Sequence, residues 1–375
     1  MVEHGDYAVY YRILLLEMLA DCIDISWFYQ GMENFRKTAL RNIVVKIISV
    51  ISIFVFIKNG NDVSKYILIY VLTTLLGNAS LWIGIKKHIV KMKFKELQIW
   101  KQLKPTIALF IPQIAIQIYT VLDKTMIGAI TNNMSEVGYY EQTQKVIKII
   151  LTIITSLGTV MMPRIAKCFA DGEYDKIKEY MKNTFGFVYL LAFPMIFGII
   201  AVSDSFVPIF FGDGYDKVKI LIKAMSPTIL FIGLSYITGT QYLLSTKKQK
   251  QYTISVICGA TINAILNFIL IKRLDSLGAV IATVIAEFTV MAVQLYYIRK
   301  EFDFKEIIKS SRSYILSSLI MFAICMALGR IIKDDKILII SQIIAGIITY
   351  ISCLLILKDK LFYELLNRIK RYKKT

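Results

Sequence analysis

The stretch FIPQIAIQIYTVLDKTMIG, Phe110 to Gly128, is apolar enough to cross a bilayer, yet it carries polar groups along one side. Gln113, Gln117, Thr120 and Lys124 recur at spacings of 4, 3 and 4. On a helix those spacings stack side chains on a single face. Tyr119 and Asp123 flank the stripe, and Pro105 and Pro112 predict a bend in the first half. A polar stripe on a bent spanning helix lines either a water-filled cavity or a seam between helices, and the cavity is the favoured reading. Asp123 beside Lys124 also suits ordinary anchoring at a membrane boundary.

Spanning requires about 20 mostly apolar residues. Eleven segments meet that condition: 8–29, 38–57, 66–86, 105–130, 146–162, 184–204, 220–244, 252–271, 277–298, 313–330 and 337–357. Composition agrees. Of 375 residues, 56% are hydrophobic and only 19% charged, with a mean hydropathy of +0.58. A soluble domain is typically about 45–50% apolar and about 25% charged. The chain is too apolar for that class and too hydrophobic for disorder. An all-α polytopic membrane protein is therefore expected, with no room for a sizeable soluble domain. Cys22, Cys168, Cys258, Cys325 and Cys353 lack paired spacing, which excludes a disulfide framework and a CxxC metal site. His4 and His88 lie far apart, so no metal centre and no cofactor is expected. Residues 1–7 carry no basic n-region, and Arg12, Glu17, Asp21 and Asp24 interrupt the first segment, so no cleavable signal peptide is expected.

Lys and Arg total 45 against 27 Asp and Glu, a formal charge of +18. If the carboxyl terminus is cytoplasmic, loops 30–41, 87–104, 163–183, 245–251, 299–312 and the tail 358–375 hold about 30 of those basic residues, and the opposite loops about 10. This bias predicts a cytoplasmic carboxyl terminus and, with an odd number of spans, an amino terminus outside. Anionic lipid is the expected partner of the basic loops. Nucleic acid is disfavoured, because the charge is spread over separate loops. In 85–104, lysines interleave with Ile89, Met92, Phe94, Leu97 and Trp100, which suits a segment lying in the headgroup layer. Glu173 to Asn183 reads as a short surface helix.

Ionisable groups within spans are costly and point to function. Glu17, Asp21 and Asp24 share one face of the first segment, with Trp27 a turn further and Arg12 as a partial neutraliser. Lys46 lies mid-segment with Asn42 one turn back, Lys148 near the start of 146–162, and Glu287 in the middle of 277–298. Asn263 and Asn267, four apart, suit helix packing through interhelical hydrogen bonds more than ligand binding. The chain contains no GxSxG, HExxH, P-loop or loop DxD motif. It is not expected to be an enzyme, nor an ATP-driven pump by itself.

Four stretches together resemble a known family. They are Asp24 to Glu33 (DISWFYQGME), Phe110 to Gly128, Glu136 to Glu141 (EVGYYE) running on to Leu157–Arg164 (LGTVMMPR), and Asn263 to Asn267 (NAILN) with Gly278 to Glu287 (GAVIATVIAE). In combination they resemble the polysaccharide-transport branch of the multidrug/oligosaccharidyl-lipid/polysaccharide exporter superfamily, the flippases of lipid-linked oligosaccharides. The resemblance covers essentially the whole chain. It implies two six-helix lobes related by an axis along the membrane normal, a further helix pair, and a cavity opening alternately to either side. The first segment then corresponds to the fourth family helix, so the chain is expected to be amino-terminally truncated by three helices. The implied domains are a partial amino-terminal lobe at 1–104, a six-helix lobe at 105–298, and the extra pair with its basic tail at 299–375. At an offset of 214, Phe54 to Lys58 matches Phe268 to Lys272, minor support for parallel repeats.

The resemblance implies a flippase for an undecaprenyl-pyrophosphate-linked oligosaccharide in the cytoplasmic membrane, serving capsule, exopolysaccharide or O-antigen synthesis. A polysaccharide polymerase and a chain-length regulator are the implied partners. Lys46, Lys124, Lys148 and Arg164 are the candidates for the pyrophosphate, and Gln113, Gln117, Tyr119 and Thr120 for sugar hydroxyls. Asp24, Asp123 and Glu287 would bind a coupling ion or pair with those cations. The alternatives are a cation-coupled multidrug exporter of the same superfamily, a lipid II flippase and a non-functional fragment. A membrane-embedded polymerase or ligase is disfavoured, because the longest outside loop has about 17 residues.

Overall fold

The computed structural model describes residues 8–59, 62–85, 88, 98–303, 307–309, 311–359 and 361–364, several of those within 99–120 and at 157, 159 and 160 by their backbone only. Among the described residues the chain is helical throughout and holds no strand. It divides into two compact units, Met1–Ile99 and Trp100–Thr375.

The first unit holds α1 (Ala8–Cys22), α2 (Ser26–Gly31), α3 (Phe35–Phe56) and α4 (Val63–Ser80). The expected segment 8–29 is not one continuous helix. It breaks after Cys22, where the Asp24 carboxylate accepts the Ser26 backbone N–H at 2.7 Å and the Ser26 hydroxyl at 3.0 Å. A short acid that caps the following turn competes with the helix running through it. The Asn78 side chain then ties α4 to the Ala20 carbonyl (2.7 Å), and Trp82 Nε1 donates to the Ile23 carbonyl (2.8 Å). α3 and α4 meet closely at Gly77, where an added Cβ would lie 2.4 Å from Val45 Cγ2.

The second unit holds α5 (Ile99–Thr131), α6 (Met134–Ala170), α7 (Tyr174–Phe211), α8 (Asp216–Met225), α9 (Thr228–Ser235), a π-helical stretch (Tyr236–Leu244), α10 (Gln249–Leu274), α11 (Ser276–Ile298), α12 (Arg312–Ile331) and α13 (Asp335–Ile356). Asn133 begins α6 by accepting the Ser135 N–H at 3.0 Å, and Asp334 begins α13 by accepting the Ile337 N–H at 3.0 Å. Tyr140, Ile165, Met181, Phe185, Leu221 and Ile229 are fully enclosed in the core. α12 and α13 pack against each other and against α7.

The expected surface helix at 173–183 is instead the first turns of the 38-residue α7. Ile177, Met181 and Phe185 are buried at a spacing of 4, so one apolar stripe runs across the point where a break was expected. Glu173, just before α7, accepts from Lys176 Nζ at 2.6 Å, and that bond holds its carboxyl below its ordinary value.

Among the described residues seven helices are long and apolar enough to cross a membrane, and α8 with the helix after it, bent by 41°, makes an eighth if the pair is one span. These carry eight of the eleven expected segments. The other three fall on α1, which is 15 residues long, α4, which ends at Ser80, and α5.

Candidate functional site

In the second unit, four helices converge on one carboxylate. Asp123 sits on α5 with no solvent exposure. Its Oδ2 accepts the Tyr140 hydroxyl of α6 at 2.5 Å and the Thr283 hydroxyl of α11 at 3.2 Å. Its Oδ1 accepts from Asn267 Nδ2 of α10 at 2.5 Å. Behind these, Asn267 Nδ2 also reaches Asn263 Oδ1 (3.0 Å), and Gln144 Nε2 donates to the Tyr140 oxygen (3.1 Å). Helical spacing assembles the set. Tyr140 and Gln144 are one turn apart on α6, as are Asn263 and Asn267 on α10.

A buried carboxylate is tolerated only when it is paired or well hydrogen-bonded. Among the described residues no Lys or Arg pairs with Asp123. Neutral donors alone solvate it. Two polar atoms next to it, Asn267 Oδ1 and Asn263 Nδ2, are buried with no hydrogen-bond partner. The carboxylate, two amide groups and two hydroxyls are an oxygen-rich donor set suited to a hard cation. Among the described residues no cluster of three His, Cys, Asp or Glu could hold a metal ion.

This network forms one wall of a cavity of about 300 Å³. Lys148, one turn beyond Gln144 on α6, and Glu287, one turn beyond Thr283 on α11, also line it. Glu287 is 7% exposed. Tyr236 and Thr240 of the π-helical stretch close another side. π-Helical turns inside a helix recur at functional sites. A second buried network braces that side. The Thr238 hydroxyl donates to Gln294 Oε1 at 2.6 Å, and Gln294 Nε2 donates to Ser255 Oγ at 3.1 Å.

Of the residues expected from sequence, Asp123, Lys148 and Glu287 thus share one cavity, with Asn263 and Asn267 against Asp123. Lys124 turns elsewhere, its Nζ 3.8 Å from Glu141 Oε1. Gln117 is exposed on α5, and the side chains of Gln113, Tyr119 and Thr120 lie outside the described residues. Arg164 is exposed on α6, about 24 Å along the helix from Lys148. In the first unit, Lys46 is exposed on α3, and Asp24 lies 3.6 Å from Arg41 besides capping Ser26. Sequence reasoning passed over Tyr140, Gln144 and Thr283. The one available signal was their helical register, Tyr140 with Gln144 and Thr283 with Glu287.

Two family models match the chain, one described as polysaccharide biosynthesis protein over residues 4–169 and one as MatE over residues 108–269. Among curated relatives, the Probable low-salt glycan biosynthesis flippase of Haloferax volcanii is 24% identical over 286 residues, covering 75% of this chain and 59% of its own length. The capsular polysaccharide biosynthesis protein CapF of Staphylococcus aureus is 21% identical over 315 residues, covering 80% of this chain and 77% of its own. Among solved structures, a lipid II flippase, MurJ, in an inward closed conformation superposes with a TM-score of 0.69 at 19% identity, over 94% of this chain and 72% of that one. At that identity the likeness is one of fold. The chain spans 59% of the length of the archaeal relative.

Proposed function

We propose that this chain, which belongs to the polysaccharide-transport branch of the multidrug/oligosaccharidyl-lipid/polysaccharide exporter superfamily, moves a lipid-linked oligosaccharide across the membrane it spans. It acts as a transporter and not as an enzyme. The relatives named as a glycan biosynthesis flippase and a capsular polysaccharide protein support the substrate class. The finer reading is an undecaprenyl-pyrophosphate carrier in the cytoplasmic membrane with the carboxyl terminus in the cytoplasm. It assigns 1–104 to a partial lobe, 105–298 to a six-helix lobe and 299–375 to a further pair. A polymerase and a chain-length regulator are its partners in glycan assembly.

The physical problem is to carry a polar glycan and an anionic diphosphate past hydrocarbon, where an unpaired polar group costs several kcal/mol. A polar cavity substitutes for water while the polyprenyl chain stays in lipid. Lys148 is our first candidate for the diphosphate, with Lys46, Lys124 and Arg164 as further cationic positions along its path. Gln113, Gln117, Tyr119 and Thr120 suit sugar hydroxyls. The observation that carries the mechanism is Asp123, enclosed by neutral donors at the wall of a cavity that also holds Glu287. We assign Asp123 to a coupling cation, with Glu287 assisting or balancing Lys148. Asp24, held against Arg41, serves charge pairing in the first unit.

The test is complementation of a strain lacking its lipid-linked oligosaccharide flippase. Surface glycan should return with this chain and be lost with Lys148→Ala or Asp123→Asn at equal membrane abundance. Unchanged export in both variants would remove the cavity from the mechanism. Because the cavity walls hold two carboxylates and one lysine, a cation exporter is the second reading. Extrusion of cationic dyes without glycan export would favour it.

A further inference from the structure

One face of α6 joins the Asp123 network to the lysine of the cavity. Tyr140, Gln144 and Lys148 follow one another at a spacing of 4. The Tyr140 hydroxyl donates to Asp123 Oδ2 at 2.5 Å, and its oxygen accepts from Gln144 Nε2 at 3.1 Å. Gln144 and Lys148 then line the cavity together with Asp123 and Glu287. Tyr140 also lies 2.9 Å from the Thr283 hydroxyl, so it keeps a partner when a cation takes Asp123 Oδ2. From Tyr140 to Lys148 the rise along α6 is about 12 Å, and Gln144 between them is neutral. Among the described residues, the charged groups of the lining are two carboxylates and one lysine, a formal −1.

We propose that a cation at Asp123 and an anionic headgroup at Lys148 bind cooperatively, each raising the affinity of the other, so that the chain holds substrate and cation together and not in exchange. This rests on the cation and diphosphate assignments made above. Charge fixes the sign. Without the cation, an anion approaching Lys148 meets a lining of net negative charge. A monovalent cation on Asp123 brings that lining to zero and leaves Lys148 opposed by Glu287 alone. At about 12 Å and an effective dielectric constant of about 20, one unit charge alters the affinity for another about tenfold. Linkage makes the effect reciprocal, so the headgroup tightens the cation by the same factor. A cationic substrate would instead compete with the cation for the same two carboxylates. The sign of the coupling thus follows the charge of the substrate.

The full chain, purified in detergent, is titrated with undecaprenyl diphosphate in sodium chloride and in choline chloride of equal ionic strength. Sodium should lower the dissociation constant about tenfold. Saturating undecaprenyl diphosphate should lower, by the same factor, the sodium needed for half of the rise in melting temperature. Asp123→Asn removes the negative charge much as the cation does. It should bind undecaprenyl diphosphate in choline as tightly as the parent does in sodium, a gain that no loss of structure produces, and sodium should add nothing further. Lys148→Ala should weaken binding in both salts. Sodium-dependent melting with equal affinity for undecaprenyl diphosphate in the two salts overturns the cooperativity and spares the cation site. Weaker binding in sodium shows exchange and overturns it as well, as does weaker binding by Asp123→Asn at unchanged helix content. A parent whose melting temperature ignores sodium, or that binds undecaprenyl diphosphate in neither salt, overturns the assignment on which the coupling rests.

Discussion

Among the described residues no cation pairs with Asp123, and neutral donors surround its carboxylate. That makes two experiments informative. If a cation occupies the oxygen set, adding it stabilises the folded chain by mass action, by about 2.7 kcal/mol at a hundred times its dissociation constant. Titrating sodium against the apparent melting temperature should therefore raise it in the parent and leave Asp123→Asn flat. A parallel rise in both would detach the ion from Asp123. Tyr140→Phe removes one donor from the carboxylate and one acceptor from Gln144. It should cost about 1–3 kcal/mol, read as a lower melting temperature without loss of helix. Asp123 stood out in the sequence because a charge in an apolar run has few innocent explanations. Tyr140 and Thr283 did not, because a tyrosine or threonine on an apolar helix looks like ordinary packing. Their role depends on partners 17 and 160 residues from them, and periodicity within one helix is blind to those.

Between helices, α10 and α11 pack closely as a hairpin. Asp275 makes its turn with a φ of 52° and a ψ of −132°, a combination that residues with a Cβ rarely adopt. Three residues on, a Cβ added at Gly278 would lie 2.4 Å from the Leu270 carbonyl oxygen and 2.5 Å from its carbon. Backbone atoms cannot swing aside as a side chain can. Gly278→Ala should therefore separate the hairpin that positions both Asn267 and Thr283, costing about 1–3 kcal/mol as overpacking does. It should weaken the ion-dependent stabilisation along with it. An alanine variant as stable as the parent would show that the hairpin yields freely. A second tie meets the same turn. Lys217 Nζ of α8 lies 2.7 Å from Glu136 Oε1, and Glu136 Oε2 accepts the Ser276 hydroxyl at 2.6 Å. Lys217→Ala leaves Glu136 buried with hydroxyl and amide donors only, at an expected cost of about 1–3 kcal/mol, measured by the same melt. Hydropathy reveals where apolar helices run, because burial in lipid is what it measures. It does not reveal where they stop. Asp24 interrupts the first segment with a local cap, and α7 runs on through 173–183, because such features depend on a few hydrogen bonds and one buried stripe and not on average polarity.

Over the whole molecule, the excess of 18 positive charges bears on orientation more than on the site. Lys148 shares the lining of the cavity with two carboxylates, so these three residues contribute none of that excess. Most of it lies in loops that alternate along the chain, about 30 basic residues on one set and about 10 on the other. Short loops rich in Lys and Arg stay cytoplasmic, since carrying them across the membrane is disfavoured. The chain should then present its carboxyl-terminal tail and the 163–183 and 245–251 connections to the cytoplasm, and the connections at 203–219 and 330–336 to the other side. Fusions report this directly. A green fluorescent protein on the carboxyl terminus should fluoresce, and alkaline phosphatase inserted after Asp213 should be active while the same enzyme after Lys247 should not. The reversed pattern would refute the assignment. A charge test separates cause from coincidence. Replacing Lys247, Lys248 and Lys250 together removes three of the positive charges of one connection. Orientation should survive, because the remaining loops all vote the same way; a mixed orientation would mean that this one connection dominates topology.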